Sequence, residues 1–295
     1  MKNLILIIFT LFFTQAHAEE VTLTHSGLTL NANLVKSSDD WTKGPVVLMT
    51  HGTLAHNGME IMQGLQAMFA ERSISSLAIN LSLGLDDRHG MYDCKVPHTH
   101  HHTDALDEIG AWVNWLKAQG IESLSLLGHS RGGNQTAWFA AERLDPSIMH
   151  VFLIAPATWS ADYAAKDYDR QYGKPLASAL QAAEMLVVEG KAGMMMKPVD
   201  FIYCKETQAT AEAFISYYAP DERRDTPTLI SQIKAPVTVF AGSEDEVVVG
   251  LIEKTEPLAD DQNINLIVIE GADHFFRDLY SEEIADAVEE ILSAE

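Results

Sequence analysis

The chain has 295 residues, of which 42 are acidic and 20 are Lys or Arg, so its net charge is -22 at neutral pH. That balance argues against a nucleic-acid binder, which needs a basic face for phosphates, and against docking on an anionic membrane. A hydrophobic fraction of 47% excludes wholesale disorder, and the length suits one α/β domain.

The chain opens with Lys2, an apolar run from Leu4 to Phe13, and Ala16-His17-Ala18 followed by Glu19 and Glu20. This order of positive, apolar and small-residue segments is that of a secretory signal peptide cleaved after Ala18. The apolar run is short for a stable membrane anchor. The expected destination is the periplasm or the medium. In such an oxidising compartment Cys94 and Cys204 can form one disulfide; the alternative is two buried free thiols.

Val21 to Thr24 and Leu28 to Leu34 read as a hairpin around Ser26-Gly27. Pro45 to Met49 is a continuous apolar strand, the kind that suits a sheet covered on both faces. Met59 to Phe69 has helical spacing, and Ile74 to Ile79 is the next strand. A polar stretch from Asn80 to Thr103 follows. Leu106, Ile109, Trp112, Val113 and Leu116 mark an amphipathic helix stopped by Gly120. Ser123 to Leu127 is a strand that runs into Gly128-His129-Ser130-Arg131-Gly132-Gly133, then a helix to about Arg143 and a strand from Val151 to Ile154. Between about 160 and 233 the alternation breaks into apparent helices. It resumes with strands at Pro236 to Phe240 and Ile264 to Ile269 and a terminal helix from about Glu282. The pattern predicts one α/β domain over 19–295, in two sequence pieces, with a helical insertion.

The chemistry falls at strand ends. Ser130 lies in G-x-S-x-G between a predicted strand and a predicted helix, where small neighbours allow a sharp turn that exposes the hydroxyl. The helix N-terminus favours developing negative charge there. A Ser nucleophile needs a base. His274 follows the last strand and precedes the terminal helix, in Glu270-Gly271-Ala272-Asp273-His274. The base in turn needs a carboxylate. Asp245 follows the penultimate strand in Gly242-Ser243-Glu244-Asp245-Glu246, with Glu244 and Glu246 as alternates.

Together these three motifs, in the order Ser, Asp, His, resemble the α/β-hydrolase superfamily over nearly the whole chain after residue 18. The resemblance implies an eight-stranded, mostly parallel sheet flanked by helices, with a helical cap inserted after the sixth strand. It implies a serine hydrolase of the carboxylesterase type acting on a small-molecule acyl substrate, with no cofactor. It also implies an oxyanion hole made by the backbone N–H groups of Arg131 and Thr53. The loop His51-Gly52-Thr53-Leu54 carries one glycine where lipase-like members often carry three. A thioesterase, a peptidase or a C–C bond hydrolase would use the same residues, and a non-catalytic binding protein could keep the scaffold.

His98, His100, His101 and His102 crowd the loop before the second long helix, with Asp86, Asp87, His89, Asp93 and Cys94 upstream. Such ligands suit a transition metal, and His98, His100 and His102 are the candidates, though their spacing matches no metal motif. The simpler expectation is a polar loop that hydrogen-bonds within itself and caps the helix through Thr103 or Asp104; a wall of the substrate pocket is a third. Met194 to Met196 is expected to fill the cap core or to line an acyl pocket.

Overall fold

A computed structural model describes residues 18–260 and 262–294. The segment read as a signal peptide lies outside the described residues except for Ala18, where the first strand starts.

The chain begins with a hairpin, β1 (Ala18–His25) and β2 (Leu28–Val35). Ser26 and Gly27 both have positive φ, as a two-residue primed turn demands. Then follow β3 (Val46–Thr50), α1 (Glu60–Glu71), β4 (Ser75–Asn80), α2 (Asp104–Ala118), β5 (Leu124–His129), α3 (Arg131–Glu142) and β6 (Ile148–Ile154). The next segment carries α4 (Ala161–Tyr172), α5 (Leu176–Val188), β7 (Met195–Phe201), β8 (Cys204–Thr210), α6 (Ala211–Tyr218) and α7 (Thr226–Ile230). The domain closes with β9 (Val237–Gly242), α8 (Leu251–Thr255), β10 (Ile264–Ile269) and α9 (Leu279–Ala294).

Eight strands form one sheet in the order β1-β2-β4-β3-β5-β6-β9-β10. From β4 to β10 every pairing is parallel, and only β2 runs antiparallel to its neighbours β1 and β4. Alternation along β3 explains the layers. Val46 and Leu48 join the core beneath α2 and α3, whereas Val47 and Met49 join the core beneath α1 and α9. Both faces are therefore covered, which is why the central strands read as unbroken apolar runs. The carboxyl ends of the parallel strands share one edge, where ligand sites of open α/β sheets form.

The insertion after β6 packs on its own small core, including Tyr168, Phe201, Phe214 and Tyr217. It contains one element absent from the sequence reading, the antiparallel pair β7–β8. Its turn residues Ile202 and Tyr203 both have positive φ although neither is glycine, so the usual hairpin signal is missing. Pro198 inside β7 also argues against a strand on sequence grounds. Met194 is exposed, and Met196 packs on the cap core.

Cys94 and Cys204 are bonded, joining the long loop after β4 to the start of β8. The same loop also pairs with β8 through backbone: His98 N–H donates to Gln208 O at 2.8 Å, and Thr210 N–H donates to His98 O at 3.0 Å. Closing a loop of 110 residues stabilises by ~4–5 kcal/mol in the chain-entropy account. A Cys94→Ala/Cys204→Ala double variant should therefore melt ~10 °C lower than the parent in non-reducing calorimetry; an unchanged midpoint would show that the bond does not restrain the unfolded chain.

Candidate active site

Ser130 occupies the turn between β5 and α3 with φ 57° and ψ -125°. A non-glycine residue held there stores ~1–3 kcal/mol, and its surroundings enforce the conformation. Ser130 N–H donates to Ile154 O at 2.9 Å, and its carbonyl accepts from Ala157 N–H at 3.0 Å. Gly132 lets α3 reach the end of β3. A Cβ at this position would stand 2.7 Å from Thr50 O and closer still to His51 O.

The other two strand-end motifs converge on this turn. His274 is 5% exposed. Its Nε2 lies 3.0 Å from Ser130 Oγ and its Nδ1 2.8 Å from Asp245 Oδ2. The second Asp245 oxygen accepts from Val247 N–H at 2.8 Å and Val248 N–H at 3.0 Å. Burial pushes the Asp245 pKa up, but the His274 contact and these amides outweigh it and hold the carboxyl below its usual range. Nδ1–H thus faces a carboxylate, which leaves the Nε2 lone pair for the serine proton. Glu244 and Glu246, the alternates, are exposed.

The acid and imidazole loops are stitched to each other. Ser243 N–H donates to Ile269 O at 3.1 Å, Glu244 N–H to Ala272 O at 3.0 Å, and Gly271 N–H to Ser243 Oγ at 2.8 Å. Gly242 permits this contact, since a Cβ there would meet the Ala272 carbonyl. His129 supports the imidazole from beneath. Burial lowers its pKa to about 4, so it is neutral, and its Nε2–H donates to His274 O at 2.9 Å.

Thr53 and Arg131 flank the hydroxyl. The Arg131 side chain donates through Nε to Thr53 Oγ1 at 2.9 Å. Among the described residues, neither the Thr53 nor the Arg131 backbone N–H donates to another protein group. Two free amides beside a nucleophile are what an oxyanion hole requires.

A buried network that sequence reasoning missed fixes the Thr53 loop. His51 Nε2 accepts from Leu81 N–H at 3.1 Å and from Arg88 Nη2 at 3.1 Å, so its proton sits on Nδ1 and is donated to Gly52 O at 2.9 Å. Burial, then the Arg88 charge, lowers the His51 pKa to about 3. Arg88 is itself buried and donates to Leu81 O, Gly90 O, Ala55 O and Asn80 Oδ1. One residue further on, Ser82 donates from backbone and hydroxyl to the buried Glu108 carboxyl. The sequence offered one hint, a lone Arg in a loop otherwise rich in Asp and His.

Two chambers meet at Ser130 and share Thr53, Ser130, Tyr203 and Val247. One, of about 380 Å³, is apolar and is walled by Met59, Ile61, Met62, Met91 and Phe275. The other, of about 240 Å³, is polar and is walled by Arg131, Tyr163, Asp167, Arg170 and Glu246. The polar chamber continues past Arg131 into a recess of about 120 Å³ beside His102, Tyr217 and Arg224. Met194, Met195 and Met196 line none of these spaces.

The histidine loop folds inward but does not converge on a point. His98 Nδ1 lies 3.2 Å from His100 Nε2, His100 Nδ1 lies 2.8 Å from Tyr217 OH, and His102 Nε2 turns away to Asn134 Oδ1 at 3.0 Å. The rings stack among Tyr92, Phe201, Trp138 and Tyr217. Burial lowers His98 to about 4 and His100 to about 3, and holds His102 well below its usual value. Among the described residues no group of three or more His, Cys, Asp or Glu is arranged to hold a metal. Thr103 sits at the helix cap without a side-chain bond, and Asp104 Oδ2 accepts from His101 N–H at 2.6 Å. His102 walls the recess. Among the described residues no helix is long and apolar enough to cross a membrane.

No protein-family model and no curated protein sequence matches the chain. Solved structures do match its fold. Est1E from Butyrivibrio proteoclasticus aligns with a TM-score of 0.63 at 17% identity, covering 94% of this chain and 99% of that one. The α/β hydrolase GrgF from Penicillium sp. sh18 gives 0.67 at 16%, covering 94% and 98%. The monoacylglycerol lipase of Paleococcus ferrophilus gives 0.60 at 20%, covering 90% and 98%.

The Glu108 carboxyl provides a handle on the buried network. Burial raises its pKa from 4.5 to about 7, against the Ser82 hydrogen bonds, which lower it. The folded chain therefore keeps a proton that the unfolded chain releases, and stability falls as pH rises from about 4.5 to about 7, by ~3 kcal/mol. Urea unfolding of the parent and of Glu108→Gln at pH 5 and pH 7.5 should show the variant losing that part of the slope. Parallel pH dependences would refute the assignment.

Proposed function

We propose that this chain, which has the α/β-hydrolase fold, is an exported serine hydrolase that cleaves a carboxylic ester through an acyl-enzyme on Ser130. One observation carries the reading: a single buried imidazole, His274, touches both Ser130 Oγ and the Asp245 carboxylate at hydrogen-bond distance. The esterases and lipase among the structures of like fold point the same way.

His274 Nε2 takes the Ser130 proton as Oγ attacks the acyl carbon. The carbonyl oxygen becomes an oxyanion held by the Thr53 and Arg131 amides, while Asp245 stabilises the imidazolium. Collapse expels the alkoxide, which leaves as an alcohol after taking the proton from His274. A water then gives its proton to His274 and adds to the acyl carbon, releasing the acid and restoring Ser130. Each oxyanion donor contributes ~3–4 kcal/mol to such a transition state. The apolar chamber suits the hydrocarbon part of the substrate.

Export rests on the segment before Glu19 and accords with the Cys94–Cys204 bond. When the whole chain is expressed in a secreting host, the mature protein should begin at Glu19; recovery with Met1 retained would contradict export by this route.

A fluorophosphonate probe should label the parent and leave Ser130→Ala unlabelled. Equal labelling would refute the nucleophile. With short p-nitrophenyl esters, Asp245→Asn should lower kcat by ~10⁴-fold, because the wrong imidazole tautomer then faces the serine.

A further inference from the structure

The recess beyond Arg131 has an unusual charge balance. Arg72, Arg143, Arg170, Arg223 and Arg277 each face a carboxylate. Arg88 forms no ion pair but is fully engaged by carbonyls and Asn80; Arg131 and Arg224 form none among the described residues either, although acidic side chains outnumber Lys and Arg by more than two to one. Both arginines line the recess.

Arg224 is 7% exposed. Its Nη groups donate to the carbonyls of Ser216, Ile215 and Ala219 at the end of α6, and its Nε has no partner. Arg131 lies over the Tyr217 ring at 5.3 Å, with only Nε bonded, to Thr53. Both of its terminal amino groups are without a hydrogen bond to any described residue. A guanidinium with two free amino groups can match a carboxylate bidentately.

The neighbouring acids do not neutralise this pair. Asp167 is bound to Arg170 and to Gln171, Asp221 is bound to Arg223 and offsets Arg224 only through space, and Glu246 is exposed at the outer chamber. A buried guanidinium beside a half-buried one, neither bonded to a carboxylate, is costly, and an anion in the recess reduces that cost. A volume of about 120 Å³ fits a small planar group.

We infer that the substrate carries a carboxylate, which Arg131 grips in the recess while Arg224 supplies positive field behind it, and that its apolar portion lies between Met59, Met62 and Phe275. This inference rests on the hydrolase reading for its reaction but not for its binding.

Two matched ester pairs test it: 4-butyryloxybenzoate against its methyl ester, and mono-p-nitrophenyl glutarate against its methyl ester. In at least one pair the parent should favour the charged member in kcat/KM by roughly 10- to 100-fold. Arg131→Gln should bring that ratio close to one, and Arg131→Lys should keep part of it. Each ratio is internal to one preparation, so a general loss of activity does not affect it. Turnover without preference in either pair, or a preference that survives Arg131→Gln, overturns the inference.

Calorimetry separates the two readings. Ser130→Ala should bind 4-hydroxybenzoate or glutarate at least ten-fold more tightly than the Ser130→Ala/Arg131→Gln double variant does. Carboxylate binding without ester turnover by the parent would overturn the hydrolase reading alone. Absence of binding by either acid would overturn the anion site alone.

Discussion

The active-site geometry depends on backbone approaching backbone at two places where no side chain fits. At Gly132 the first turn of α3 abuts the carbonyls that end β3. At Gly242 the end of β9 abuts the carbonyl of Ala272. The first contact brings the Thr53 loop beside Ser130, and the second holds the Asp245 and His274 loops at one height above the sheet. Packed interiors do not yield to an added methyl group by small shifts, so these two positions locate five functional groups at once. The strained Ser130 backbone is affordable because the sheet beneath it is buried on both faces.

Much of this was legible in the sequence because it follows from local rules. Continuous apolar strands report two-sided burial, and helical spacing reports one-sided burial, so the sheet core and the helices around it can be read directly. Ser130, Asp245 and His274 each sit in a short motif at a strand end, and the structure brings all three together. The hairpin β7–β8 was not legible. Its turn uses Ile202 and Tyr203 in a conformation that glycine usually adopts, and a proline interrupts its first strand. Buried polar networks were equally hidden. His51 and Arg88, like Ser82 and Glu108, are far apart in the chain, and nothing in their spacing tells that burial and long-range hydrogen bonds will pair them.

The histidine loop shows how composition can mislead. Four imidazoles in five residues suggest ligation, yet three of them are packed as aromatic rings, kept neutral by burial and oriented by one or two hydrogen bonds each. What they build is a floor. His100 orients Tyr217, Tyr217 carries the Arg131 guanidinium, and Arg131 reaches Thr53. The loop thus bears on the reaction centre through a stack of rings rather than through any atom of its own.

The disulfide has a geometric consequence for traffic. Met91 and Tyr203, both more than half exposed, stand on the rim of the apolar chamber, and each lies within three residues of a half-cystine. The lips of that portal are therefore tethered covalently. They can rock together, but they cannot part by the cap lifting away from the loop beneath it. Slender molecules that thread lengthwise will pass more readily than broad ones that require the doorway to gape.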